Sequence, residues 1–259
     1  TAMLSTRHAE AASQPANSTA LAFRADFGDT VQLLEAVESS TVAWATGSAV
    51  LCMSYSLASI SGGHFNPAVT LAVMLTGSCR GPGQRRCRVI ESLFFMLAQA
   101  TAAVAAALTY VCVHRGDTFT NPARIADLGP KRGYGWSSVA IGESAFTLAV
   151  ALSVLCMTTV RDPRYSKAPS TRSFQFAFAI GMCVTAGGFA LEGITGGFLN
   201  PAVSLGVSVS NFFSAGLQIG MRTRYFAYYV LWQFMGGVLA ALVFRAAHPL
   251  EYKEDPLLK

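Results

Sequence analysis

The sequence predicts an all-α membrane protein, an inverted repeat of spanning helices built around two re-entrant half-helices. Three observations carry that prediction. Hydrophobic residues make up 52% of the 259 and charged residues only 13%, a balance that leaves too few charges to solvate the surface of a water-soluble domain. Five runs (39–63, 92–113, 144–160, 173–191 and 225–244) contain no Asp, Glu, Lys, Arg or His. Each is long enough, the third with help from uncharged 137–142, to supply the roughly 20 helical residues that cross a bilayer core. Finally, one motif occurs twice. "SGGHFNPAVTL" (61–71) and "TGGFLNPAVSL" (195–205) share the pattern S/T-G-G-x-x-N-P-A-V-S/T-L, with Asn66 answering to Asn200.

The repeat extends upstream, because Gly47 precedes Asn66 by the same interval as Gly181 precedes Asn200. Two motifs in register with their preceding helices are an internal repeat. Each motif breaks the helix that runs into it and starts another, since Asn caps and Pro favours the first helical position. Half-helices are expected at about 67–75 and 201–210. Three apolar runs separate the motifs, an odd number of crossings, so the halves face opposite sides. Broken helices meeting at the midplane of inverted repeats belong to transporters and channels. Non-helical backbone persists at that depth only where it lines a cavity or is buried in protein.

Charge supplies the topology. "RGPGQRRCR" (80–88) and "RDPRYSKAPSTR" (161–172) each hold four Lys or Arg, which places loops 77–89 and 161–173 in the cytoplasm. Loop 114–137 carries four as well, spread over twice the length and mixed with Asp117 and Asp127; parity puts it on the opposite side. Ser and Thr in "YSKAPSTRS" are candidates for phosphorylation. The net charge of +5 sits in loops, without the basic face interleaved with aromatics of a nucleic-acid binder. Cys52, Cys112, Cys156 and Cys183 fall in apolar runs and read as small core residues, while Cys79 and Cys87 share a short loop as free thiols. The six cysteines show no zinc-like spacing, and no nucleotide-binding or hydrolase motif is present. The expectation is no enzyme, no cofactor and no metal.

The paired Asn66-Pro67-Ala68 and Asn200-Pro201-Ala202, "SGGHFNPAVT", Ala98-Gln99 in the third helix, and Glu143 with Thr147 (E-x-x-x-T) in the fourth make this chain resemble the aquaporins of the major intrinsic protein family, over about residues 37–247. A third Asn-Pro-Ala, in "TNPARIADLG" (120–129), lacks the preceding Gly-Gly pair and a following apolar helix and reads as a turn. The resemblance implies six spanning helices where the sequence offers five. Glu143 opens a full helix ahead of Asn200, but counting back the same distance from Asn66 reaches position 9, in a polar stretch. The expectation is a first spanning helix absent from this chain, with 1–36 as its tail and an extracytoplasmic loop, 37–247 as the channel domain, and 248–259 as a cytoplasmic tail. A true five-helix variant or an error in the gene model are the alternatives. Asn17-Ser18-Thr19 in the loop is a glycosylation sequon.

The resemblance further implies a passive channel for water and small neutral solutes (glycerol, urea, ammonia or hydrogen peroxide) in the plasma or vacuolar membrane, and a homotetramer in the lipid bilayer. Half-helix ends at Asn66 and Asn200 exclude cations by their dipoles. Four positions form the outer selectivity filter: Thr46, Gly188, Gly197 and Val203. Water channels of the family place Phe, His, a small residue and Arg there; glycerol channels place Trp, Gly, Phe and Arg. This set has neither a large aromatic nor the Arg and is most like the plant tonoplast intrinsic proteins, whereas Ser204 and Trp232 look water-type. His64 is expected to orient its loop by hydrogen bonds, with pH sensing as the alternative. Gly62, Gly63 and Gly196 allow turns and exposed carbonyls, and Glu143 supports the pore. A secondary transporter would need ionisable residues along a pathway, and only Glu143 and Glu192 lie near helix ends. A non-conducting or structural paralogue is the remaining alternative.

Overall fold

The computed structural model describes residues 41–57, 60–77, 89–114, 126–159, 176–214 and 225–249. The chain divides into Thr1–Val42 and Ala43–Lys259; only residues 41–42 of the first unit are described, and the account below concerns the second. Expectations for 1–36, for Asn17, for the basic loops with Cys79 and Cys87, for Asn121-Pro122-Ala123 and for the end of the tail lie outside the described residues.

Among the described residues, seven helices follow one another: α1 (41–57), α2 (Pro67–Thr76), α3 (Val89–Val113), α4 (Trp136–Thr159), α5 (Phe176–Leu191), α6 (Pro201–Ser214) and α7 (Phe226–Ala247). Among the described residues, three stretches are long and apolar enough to cross a membrane: Val89–Val113, Trp136–Met157 and Phe226–Ala247. The 16 residues described for α5 reach about 24 Å at the helical rise. The second half-helix runs past its expected end. Helix α2 stops at Gly77, whose left-handed φ of 63° turns its N–H back to Met74 O. Beyond Gly206, α6 meets no Gly or Pro before Gly216, and it continues to Ser214.

Small residues set how closely the helices approach, as expected where hydrocarbon offers no hydrophobic drive for helices to pair. Gly47 of α1 and Gly181 of α5 face each other reciprocally. A Cβ on Gly47 would stand 2.7 Å from Gly181 O, and one on Gly181 would stand 2.8 Å from Gly47 O. Reciprocal contact between equivalent positions is the signature of a two-fold axis, so the repeat seen in the sequence is a spatial symmetry. Helix α7 presses on α4 through Gly236, where a Cβ would lie 2.9 Å from Thr147 Cβ. Gly237 gives it the same closeness to Ala68 of α2. Around these crossings Val69, Val73, Val154, Leu155 and Phe244 form the apolar core. Cys156 and Cys183 pack against it, but Cys52 and Cys112, expected in the core, are exposed on the outer faces of apolar helices. Glu143, Thr147, Thr195, Ser204 and Gln233 are also wholly buried, and buried polar groups must find partners.

Candidate pore and half-helix junction

The two Asn-Pro-Ala motifs meet. Asn66 Oδ1 accepts from Ala68 N at 2.9 Å, capping α2, and Asn200 Oδ1 accepts from Ala202 N at 2.9 Å, capping α6. The amide nitrogens cross over. Asn66 Nδ2 donates to Leu199 O at 2.9 Å, and Asn200 Nδ2 donates to Phe65 O at 3.0 Å. Each Asn therefore caps its own half-helix and holds the carbonyl that precedes the other Asn. Four bonds form a second two-fold pair, and they bring the N-terminal ends of α2 and α6 face to face. Each end carries roughly half a positive charge, and each amide has a second N–H beyond these bonds.

Paired glycines make the approach to this junction. Gly62 and Gly63 have φ of 73° and 75°, and Gly196 and Gly197 have 97° and 62°, a region L side chains rarely adopt. Leu199 shares it at φ 54°, the one non-glycine among the described residues to do so. Its conformation is held from both sides. Leu199 N donates to Glu143 Oε2 at 2.9 Å, while Leu199 O accepts from Asn66 and, at 3.3 Å, from Thr147 Oγ1.

Glu143 organises the outer half. Its Oε1 accepts from Thr195 Oγ1 at 2.7 Å and Phe198 N at 3.3 Å; its Oε2 accepts from Leu199 N and, at 2.8 Å, from Gln233 Nε2. All four partners are donors, the arrangement an acceptor-only carboxylate requires. Thr195 Oγ1 in turn accepts from Gly197 N at 3.1 Å. Tyr229 ties this segment to the preceding outer one: its hydroxyl donates to Thr195 O at 2.7 Å and accepts from Gly129 N at 3.0 Å. Just beyond α5, burial raises the Glu192 carboxyl and Lys131 opposes that shift.

On the inner side Gln99 Nε2 donates to His64 O at 2.7 Å and Thr70 Oγ1 at 3.0 Å. The His64 ring packs against Phe95 with centroids 5.4 Å apart, and its Nδ1 makes no hydrogen bond. The loop is thus tied through the His64 carbonyl.

A narrow cavity of about 60 Å³ runs between Thr46, Val50, Gly63, Asn66, Asn200 and Val203. Two of the four filter positions, Thr46 and Val203, line it together with both Asn residues. Gly188 and Gly197 lie against one another, since a Cβ on Gly197 would stand 3.1 Å from Gly188 Cα. Phe65, Asn200 and Val203 also border a wider apolar groove of about 840 Å³ between α3 and α6. Sequence reasoning missed Gln233 and Tyr229. Gln233 had a signal: it stands as far after Asn200 as Gln99 stands after Asn66.

An all-helical apolar body in which two half-helices meet end to end across a two-fold axis defines a multi-pass integral membrane protein of the inverted-repeat type. The family model described as major intrinsic protein (MIP) matches residues 16–244, and the chain belongs to the major intrinsic protein family. Aquaporin PIP2-7 of Musa acuminata is 31% identical over 170 residues, covering 65% of this chain and 55% of that relative. Probable aquaporin TIP2-2 of Arabidopsis thaliana is 29% identical over 187 residues, covering 72% of this chain and 63% of its own length. The chain thus spans less than two thirds of either relative. The X-ray structure of the aquaglyceroporin from Plasmodium falciparum matches with a TM-score of 0.66 at 18% identity, over 82% of this chain and 84% of that one, a likeness of fold. PIP and TIP relatives match at about the same identity, so the resemblance of the filter to tonoplast proteins rests on its residues alone.

Proposed function

We propose that the chain forms a passive transmembrane channel for water and small neutral solutes, with glycerol and urea among them. The reciprocal Asn66–Leu199 and Asn200–Phe65 bonds carry this reading. They set two positive helix ends against each other beside a narrow cavity, which repels cations and hydronium while offering amide N–H groups to a neutral molecule. A water that accepts from both Asn side chains donates nothing inward, and that orientation interrupts a single-file proton wire. Relatives named aquaporin and a structural neighbour named aquaglyceroporin support the substrate class.

Thr46, Gly188, Gly197 and Val203 form the outer constriction on this reading. With no guanidinium at position 203, the constriction is wide and partly apolar. Water loses strong partners there, and glycerol, urea, ammonia or hydrogen peroxide gain room. The assembly is a homotetramer, in keeping with the family resemblance. Stopped-flow light scattering on proteoliposomes tests the channel itself: osmotic shrinkage faster than in protein-free vesicles, with a low activation energy, is the expected result. Shrinkage equal to that of protein-free vesicles overturns the reading.

A further inference from the structure

Gln233 sits wholly buried in the apolar helix α7. An amide in such a place is costly unless its donors and acceptor are matched, and they are. Its Nε2 donates to Glu143 Oε2 at 2.8 Å and to Ser204 Oγ at 3.0 Å, while Ser204 Oγ donates to Gln233 Oε1 at 3.1 Å. Gln99 is its two-fold mate and holds the equivalent hydroxyl, Thr70 Oγ1. The mates differ in their second bond. Gln99 reaches the His64 carbonyl, whereas Gln233 reaches a carboxylate.

That second bond closes a ring. From Glu143 the ring passes to Leu199 N, along the backbone through Asn200 to Ser204, across to Gln233 and back to Glu143. The ring encloses the turn from which α6 starts, with Val203 directly beside Ser204. The same carboxylate holds Thr195, whose hydroxyl holds Gly197 N. Gly197 and Val203, two of the residues assigned to the constriction, are therefore referenced to one side-chain pair. Hydrogen bonds to a charged partner are the stronger kind, so the ring holds this turn firmly.

We propose that Gln233 is a positioning residue for the outer constriction: by locking the Glu143 carboxylate to Ser204 it fixes Val203 relative to Gly197 and so sets how far solutes are admitted relative to water. The inference rests on the channel reading above. Gln233→Leu removes the lock at similar volume. Ser204→Ala removes it from the other side with a change of one atom, which keeps the test available if the leucine variant misfolds. Leu242→Ala, a change on the exposed face of α7, the helix of Gln233, serves as the comparison.

Two readouts are made on the full chain. The first is amide hydrogen exchange across 193–204, which needs no transport. It should quicken by about tenfold in Gln233→Leu and Ser204→Ala, the order expected for losing a hydrogen bond to a charged group. Combining the two changes should add little, because both remove one interaction. Unchanged exchange in both variants overturns the lock. The second is the ratio of urea to water permeability in proteoliposomes. It should rise severalfold in both outer variants and stay at the wild-type value in Leu242→Ala. Simple loss of folded protein lowers both fluxes together and leaves the ratio alone. Faster exchange with an unchanged ratio overturns the selectivity role. A wild-type chain without flux overturns the channel reading instead, and exchange still decides the lock.

Discussion

On the proposed reading, Val203 is the residue on which solute choice turns. It borders the narrow cavity together with Thr46 and both Asn residues, and it stands where the family resemblance places a fixed cation with several donors. Val203→Arg should narrow the constriction and supply donors to water. Urea and glycerol permeability should fall much more than water permeability, measured on the same vesicles and normalised to protein content; an unchanged ratio would remove Val203 from the filter. Glu143 is the residue on which the outer half's order turns. Replacing it by Leu leaves Leu199 N and Phe198 N without their acceptor and takes one partner each from Thr195 Oγ1 and Gln233 Nε2. At roughly 1–3 kcal/mol for each unsatisfied buried group, partly offset by relaxation, the variant should lose several kcal/mol. Its thermal transition in detergent should drop well below that of wild type.

The half-helices and the helix crossings are the elements that define the lumen. Asn66 both caps α2 and donates across to Leu199 O. Asn66→Asp keeps the cap, because a carboxylate accepts from Ala68 N, but loses the donor and sets a negative charge between two positive helix ends. Cation current, which the proposed channel excludes in wild type, should appear in oocytes expressing this variant; no current would mean the junction does not carry the charge barrier. At the crossing of α1 and α5, Gly181 leaves no room, since a Cβ there would lie 2.6 Å from Leu51 Cβ. Gly181→Leu overpacks the two-fold contact, at a cost of about 1–3 kcal/mol or more, and the yield of folded protein should fall sharply in size-exclusion profiles. Much at this scale was legible beforehand. Asn-Pro at a helix start is a local signal, and its recurrence in register, with Gly47 and Gly181 keeping step, converts two local signals into a symmetry. The bonds that cross between halves were not legible in that way. Gln233 and Tyr229 sit inside an uninterrupted apolar run, where sequence periodicity shows only that a helix crosses. Their meaning comes from partners 90 and 34 residues away, contacts that only the folded packing of α7 on α4 and on the 194–199 turn creates. The second half-helix is helical past position 210, through Ser214, because no Gly or Pro interrupts it there.

At the scale of the molecule, polar groups are concentrated where the backbone is broken. Glu143, Thr147, Thr195, Ser204 and Gln233 are buried inside a body whose outward residues, such as Leu93, Phe94, Leu97 and Leu242, are apolar and exposed. A bilayer accounts for the second set, and the support of buried non-helical backbone for the first. On the proposed reading the lumen passes water and small neutral solutes and rejects ions. One proteoliposome preparation taken through water, urea and glycerol gradients in turn, then through a potassium gradient read by a voltage-sensitive dye, tests this. Water, urea and glycerol fluxes should all exceed those of protein-free vesicles, with no potassium leak. Solute fluxes at the protein-free level, or a potassium leak of comparable size to the solute flux, would contradict it.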